Sequence, residues 1–149
     1  MRCRYAATSN ELTNFAGSPH YAAPEVHAAA LPPPAESGEA APPFAGTAAD
    51  VWSAGVCFFA MLATQLPFAG GEDTDEEQAA LRAKVMGGEW DEAPRLAERS
   101  EPALDLVSAL LRLAPAERAT LDDVCEHGWI GSADAIPWRG FDELPRGKP

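Results

Sequence analysis

Few residues in this chain of 149 stand at spacings that do chemistry by themselves. Cys125 and His127 lie two apart, the interval of a metal-binding pair. No second pair of ligands accompanies them, so no metal centre is expected. Cys3, Cys57 and Cys125 are widely spaced and odd in number. That usage fits reduced thiols in the cytosol or nucleus better than a disulfide framework. Ser18 sits in Gly17-Ser18-Pro19, a run that taken alone is simply a turn. Glu25 and Arg118, taken alone, are two unrelated surface charges. Asp50 follows Thr47 by three residues, the spacing of a helix capping box.

The charge balance narrows the partners. Lys and Arg number 11 against 23 Asp and Glu, a formal net charge of −12. Such a surface repels nucleic-acid backbones and anionic lipids, so neither nucleic acid nor membrane is expected. It favours basic protein partners, or simply keeps the chain in solution. The first residues, MRCRYAATSNELTNF, contain no apolar run and do not read as a signal peptide. The longest apolar stretch, Ala54 to Ala63, is too short to span a bilayer and reads as part of a buried helix.

The elements that must position these residues are helices. Residues 1–27 are polar and irregular, then turn-rich. Residues 28–47 (AAALPPPAESGEAAPPFAGT) are low-complexity Ala/Pro and read as an exposed loop, because three consecutive prolines cannot continue a helix. A helix follows from Thr47 to about Thr64, capped by Thr47. Val51, Trp52, Val56, Phe58, Phe59 and their neighbours leave it no clear polar face, so protein must surround it. Asp75 to Met86 reads as an amphipathic helix that starts acidic, ends in Arg82 and Lys84, and stops at Gly87-Gly88. Ser100 can cap a further helix with Pro102 in its first turn and a core stripe of Leu104, Val107, Leu110 and Leu111. Thr120 and Asp123 form another capping box, opening a short helix that ends near Glu126. Residues 131–149 read as a tail, in which Trp138 and Phe141 are the aromatic residues. No strand is convincing, and the fold class expected is mainly α.

Several strings then point to one family. Gly17-Ser18-Pro19-His20-Tyr21-Ala22-Ala23-Pro24-Glu25-Val26 resembles the end of a protein-kinase activation segment with its A-P-E signature. Asp50-Val51-Trp52-Ser53-Ala54-Gly55-Val56 resembles the kinase D-x-W-S-x-G motif. Leu66-Pro67-Phe68, Arg118-Ala119-Thr120 and His127-Gly128-Trp129 follow in family order. Together they identify residues 1–130 as part of a serine/threonine protein kinase domain, similar to the AMP-activated and calmodulin-dependent group. The fold this implies is the helical C-terminal lobe, incomplete and without the N-terminal β lobe.

The resemblance implies roles. Gly17, Ser18, Pro19 and Tyr21 match the loop that seats the residue after the phosphoacceptor, where a hydroxyl favours Ser/Thr over Tyr substrates. Pro24, Glu25, Asp50, Trp52, Gly55 and Arg118 match structural motif positions. Glu25 and Arg118 correspond to a buried ion pair, and Asp50 to an aspartate that accepts backbone N–H groups of the catalytic loop. Asp50 as a cap of its own helix remains the alternative. Relatives carry a phosphorylated Thr three residues before the glycine that matches Gly17. Here that position is Asn14, so either the adjacent Thr13 serves as the phosphosite in a shifted register or activation by phosphorylation is lost. The position after Phe59, often Glu where arginine is read in substrates, is Ala60.

Phosphoryl transfer needs a lysine on the phosphates, metal-binding Asp and Asn, and a base at the hydroxyl. The family supplies them in a Gly-rich loop, a V-A-I-K lysine, H-R-D-x-x-x-x-N and D-F-G, and none of these strings occurs here. The family's ATP and Mg therefore have no binding residues in this chain, and no catalytic residue is assigned. The 149 residues alone are expected to be inactive, and to expose apolar surface of the 47–64 helix and fold poorly. The alternative to a kinase is a non-catalytic, pseudokinase-type protein-binding module.

Overall fold

The computed structural model describes residues 11–12, 17–31, 44–71, 73–91 and 93–131. Thr13, Asn14, most of the Ala/Pro stretch, and Trp138 and Phe141 lie outside them. The described residues are mainly helical. A two-residue strand β1 (Glu11–Leu12) pairs antiparallel with β2 (Phe44–Ala45), Glu11 opposite Ala45 and Leu12 opposite Phe44. That short ladder is the one departure from an all-helical reading.

The segment expected to be irregular up to residue 27 holds two helices. A 3-10 turn spans Pro19–Tyr21 and helix α1 spans Pro24–Ala29. Each places a proline in its first turn, where the missing N–H has no intrahelical partner to lose. The loop placed at 28–47 is accordingly shorter at both ends. Residues 28–29 complete α1, residues 44–45 form β2, and residues 46–47 already belong to helix α2 (Gly46–Ala63).

The early start of α2 removes the capping box expected from Thr47. Ala45 is the N-cap and no side chain caps the helix. Thr47 is the second helical residue, so its hydroxyl cannot act as an N-cap, and Asp50 lies beyond the first turn. Trp52, Val56, Phe59 and Ala63 form one almost fully buried stripe. Asp50, Ala54, Cys57 and Met61, at the complementary spacing, face outward. At 18 residues, α2 is long and apolar enough to cross a membrane by length and composition alone, longer than the Ala54–Ala63 stretch suggests. Here it packs against α4 (Pro94–Ala97) and α5 (Glu101–Leu110) as a core helix does.

Gly55 sets the distance between α2 and α5. A Cβ at Gly55 would stand 2.8 Å from Leu110 Cβ and 2.9 Å from Leu111 Cδ2, so only glycine permits this approach. At the other end α2 stops at Thr64, which adopts the left-handed conformation (φ 60°) that β-branched residues rarely accept. Arg95 donates to Thr64 Oγ1 (3.2 Å) and Arg99 Nε to the Leu62 carbonyl (3.0 Å). Two cations thus meet the negative end of the helix dipole and an orphan carbonyl.

Helix α3 (Asp75–Gly87) opens with a capping box that the sequence reading passed over. Thr74 Oγ1 accepts from Glu77 N and Glu77 Oε2 accepts from Thr74 N. Gly88, at φ 67°, closes the helix one residue later than expected. A clip holds the loop before α3 to the turn after it. Lys84 pairs with Asp91 at 2.8 Å and donates to the Ala69 carbonyl, while Ala69 N–H donates to Asp91. The hydrogen bond from Lys84 holds the Asp91 carboxyl below the usual carboxylate range.

Ser100 stands at the N-cap of α5 but its hydroxyl caps nothing. The next-but-one residue is Pro102, which has no N–H, and the N–H of Ala103 goes to the Ser100 carbonyl at 3.0 Å. The buried stripe of α5 is Ala103, Leu106, Val107 and Leu110, continued by Leu111. Leu106 takes an inner place that the sequence reading gave to Leu104, which is only partly buried. Helix α6 (Leu121–Glu126) is capped by Thr120 and Asp123 as expected. A one-turn helix α7 (Gly128–Gly131) follows and reaches into the expected tail. Trp129 packs edge-on against Phe58, centroids 5.0 Å apart. His127 does not join Cys125 in a ligand pair. Its Nδ1 accepts from Trp129 N–H, which leaves Nε2–H to donate to Asp105 at 3.2 Å.

Candidate functional site

Residues 17–21 form an exposed loop on a fixed base. Gly17 is left-handed (φ 117°), a conformation that favours glycine, and open space surrounds it. Ser18 is exposed, and its carbonyl accepts from Tyr21 N–H at 3.1 Å, closing the 3-10 turn. Three side chains fasten the turn through main-chain oxygens, two from elsewhere and one from the turn itself. Ser53 Oγ donates to the Tyr21 carbonyl at 2.8 Å, with the Ala49 carbonyl also in reach at 3.1 Å. His27 Nε2 donates to the Pro19 carbonyl at 3.0 Å. His20 Nε2 reaches the Gly70 carbonyl at 3.0 Å, tying the turn to the loop before α3. The Tyr21 side chain stays 38% exposed above this base.

His27 is almost fully buried. Burial, which disfavours the charged ring, holds its pKa below the ordinary 6.5; the bond to Pro19 opposes this and the nearby Arg82 charge adds to it. The ring is therefore neutral at neutral pH, with the proton on the nitrogen that holds Pro19.

Behind the loop, Glu25 in the first turn of α1 meets Arg118, which comes from the connection between α5 and α6. The pair is bidentate, at 2.7 and 3.0 Å. The Arg118 side chain has no exposed surface and that of Glu25 is 15% exposed. Arg118 also donates to the carbonyls of Arg112, Ala48 and Leu113, at 3.0, 2.7 and 3.1 Å. Its Cζ lies 5.1 Å from the Trp52 ring centroid, a cation–π distance. Trp52 stacks on Phe68 in turn, 5.8 Å between centroids and 8° between planes. The structure thus joins Glu25, Trp52, Arg118 and the first turn of α2 in one buried knot. Gly55 lies one turn further along α2, against α5. Asp50 stays outside: its carboxylate is exposed and takes no hydrogen bond among the described residues.

The sequence reading missed the anchors. His20, His27 and Ser53 carry no spacing signal, because their partners are backbone oxygens up to 50 residues away. Only the place of Ser53 inside D-x-W-S singled it out. Among the described residues no group of three or more His, Cys, Asp or Glu could hold a metal ion. The sequence holds no Gly-rich phosphate loop.

Comparison with known proteins agrees with this geometry. The protein kinase domain family matches residues 2–130. The probable serine/threonine-protein kinase KCC4 of Saccharomyces cerevisiae is 36% identical over 139 residues, covering 91% of this chain and 12% of its own length. Serine/threonine-protein kinase GIN4 of the same yeast is 40% identical over 119 residues, 78% of this chain and 9% of its own length. Human ribosomal protein S6 kinase alpha-6 is 37% identical over 95 residues, 60% of this chain and 12% of its own length. The chain spans about a tenth of the length of these curated relatives. With the activation-segment string, the Glu25–Arg118 knot and the order of helices all in place, this chain belongs to the protein kinase domain family, as part of its helical C-terminal lobe and similar to its serine/threonine kinases.

Proposed function

We propose that this chain forms the substrate-holding side of a serine/threonine protein kinase, and that its 149 residues alone transfer no phosphate. The observation that supports this is the loop at 17–21, exposed at Gly17, Ser18 and Tyr21 yet fastened by Ser53, His27 and His20. A peptide laid along such a loop meets a surface already in shape, so little ordering entropy opposes binding. In the whole protein the reaction is transfer of the γ-phosphoryl group of ATP, with Mg, to a protein Ser or Thr. Ser18 acts in that reading by orienting the acceptor side, and Tyr21 by walling the next residue. Thr13 is the candidate site of activating phosphorylation. The acidic surface suits basic protein partners, and the free thiols of Cys57 and Cys125 suit the cytosol or nucleus.

A second reading, a non-catalytic protein-binding module, is favoured by one observation: Ser53, His27 and His20 hold the loop through main-chain oxygens of the described residues. The test is binding of a Ser-containing peptide and, separately, of MgATP. The chain is expected to bind the peptide, Gly17→Ala to weaken that binding, and calorimetry with MgATP to give no saturable heat. Phosphorylated peptide formed by the purified chain, or peptide binding indifferent to residue 17, would overturn the proposal. A full-length protein that binds peptide but never phosphorylates it would favour the second reading.

A further inference from the structure

Beside the anchored loop, where the 3-10 turn, α1 and α3 meet, lies a small cavity of about 150 Å³ lined by Pro19, His27, Ala30, Gln78 and Arg82. Its only charged lining group is the guanidinium of Arg82. The Arg82 Nε atom is buried and has no hydrogen-bond acceptor among the described residues. Buried polar groups are nearly always paired, and one on a cation is the most expensive to leave unpaired.

The lack of a partner is unexpected here, because acids outnumber bases by 23 to 11. On a helix the partner would stand three or four residues away. Those positions around Arg82 are Gln78, Ala79, Val85 and Met86, none of them acidic. No carboxylate among the described residues pairs with it. The acids of α3 are gathered in its first turn instead, at Asp75, Glu76 and Glu77. A half-exposed cation with a buried Nε thus lines this cavity on a strongly negative molecule, and no carboxylate among the described residues pairs with it.

We propose that this cavity binds one oxyanion, a carboxylate or phosphate group on a side chain of a protein partner, with Arg82 as its principal ligand. The volume admits one such group and little more. A guanidinium meets either anion with two parallel hydrogen bonds, and its buried Nε–H gains the acceptor it lacks. The pocket adjoins Pro19, so a partner on the 17–21 loop has it within reach. The inference itself rests on Arg82 and not on phosphoryl transfer.

Nuclear magnetic resonance on the 149-residue chain tests it, following the Arg82 Nε–Hε signal and the His27 ring signals during titration with inorganic phosphate and, separately, with acetate. A saturable shift at both residues is expected, weakened roughly tenfold or more in Arg82→Gln. Saturation by phosphate alone assigns a phosphorylated partner, and by acetate alone an acidic one. Absence of saturable shifts with either anion overturns the proposal, as does a titration unchanged in Arg82→Gln. If that variant loses its dispersed spectrum, Arg82→Lys keeps the charge but not the forked donors. It is expected to weaken the shifts, and a response equal to that of the original chain would likewise overturn the assignment.

Discussion

Arg118 is held by more than its charge partner. Besides Glu25 it satisfies three backbone carbonyls, so the two halves of the ion pair are unequal. In Glu25→Gln the guanidinium keeps those carbonyls and an amide oxygen. In Arg118→Met the Glu25 carboxylate and all three carbonyls lose their donor together. Breaking a buried pair costs about 3–5 kcal/mol, and Arg118→Met belongs at that end. Glu25→Gln should lose less, about 1–3 kcal/mol, the cost of one imperfect charged hydrogen bond. Urea titrations of the two variants check the order, and a larger loss for Glu25→Gln would contradict the geometry. His27 makes a prediction of pH dependence. Its folded pKa is depressed, so the unfolded chain takes up the proton first as pH falls. Its contribution is present above the ordinary 6.5 and is lost as pH drops from there toward the lowered folded value. Stability measured between about pH 7 and pH 5.5 should fall in the original chain and fall less steeply in His27→Gln.

Among the elements, the contact between α2 and α5 is the tightest constraint. The atoms that a Gly55 side chain would meet belong to Leu110 and Leu111, at and just beyond the end of α5 and each only 4% exposed. Leu110 Cβ cannot shift without its backbone. Gly55→Ala gains about 1 kcal/mol of helix propensity and loses about 1–3 kcal/mol to overpacking, so the net change is destabilising. Thermal unfolding of the variant should show a lower midpoint, and a higher one would mean that the helices separate easily. The caps show where local reading succeeds. Thr120 with Asp123 was legible because both partners lie within one turn. Thr74 with Glu77 has the same spacing but sits behind a Gly/acid loop that drew the reading elsewhere. Thr47 with Asp50 has that spacing too and forms no capping box, because the β1–β2 ladder delivers the chain to a helix that has already begun at Gly46.

At the scale of the molecule, the core holds together around the inner stripe of α2 while the outer stripe has no cover among the described residues. Met61 is 69% exposed, in line with Ala54 and Cys57, on an 18-residue helix of few polar positions. The 149-residue chain on its own should therefore be marginally stable and bind hydrophobic dyes while still folded. Dye fluorescence checks this, and no binding below the unfolding transition would show that the outer stripe is tolerated. The sequence by itself determined the family and the helices α2, α3, α5 and α6, because motif order and helical period are local and survive without coordinates; the Glu25–Arg118 pair came with the family resemblance and not from the residues alone. It determined no partner for Ser53, His20, His27 or Arg99, since a hydroxyl, ring or guanidinium seeking a main-chain oxygen leaves no matching residue type to read. Only the tertiary structure decided those, along with which stripe of α2 turns inward, why residue 55 must be glycine, and that Arg82 faces a cavity without an acid. Each depends on how closely distant segments approach, and that distance is a property of the packed whole.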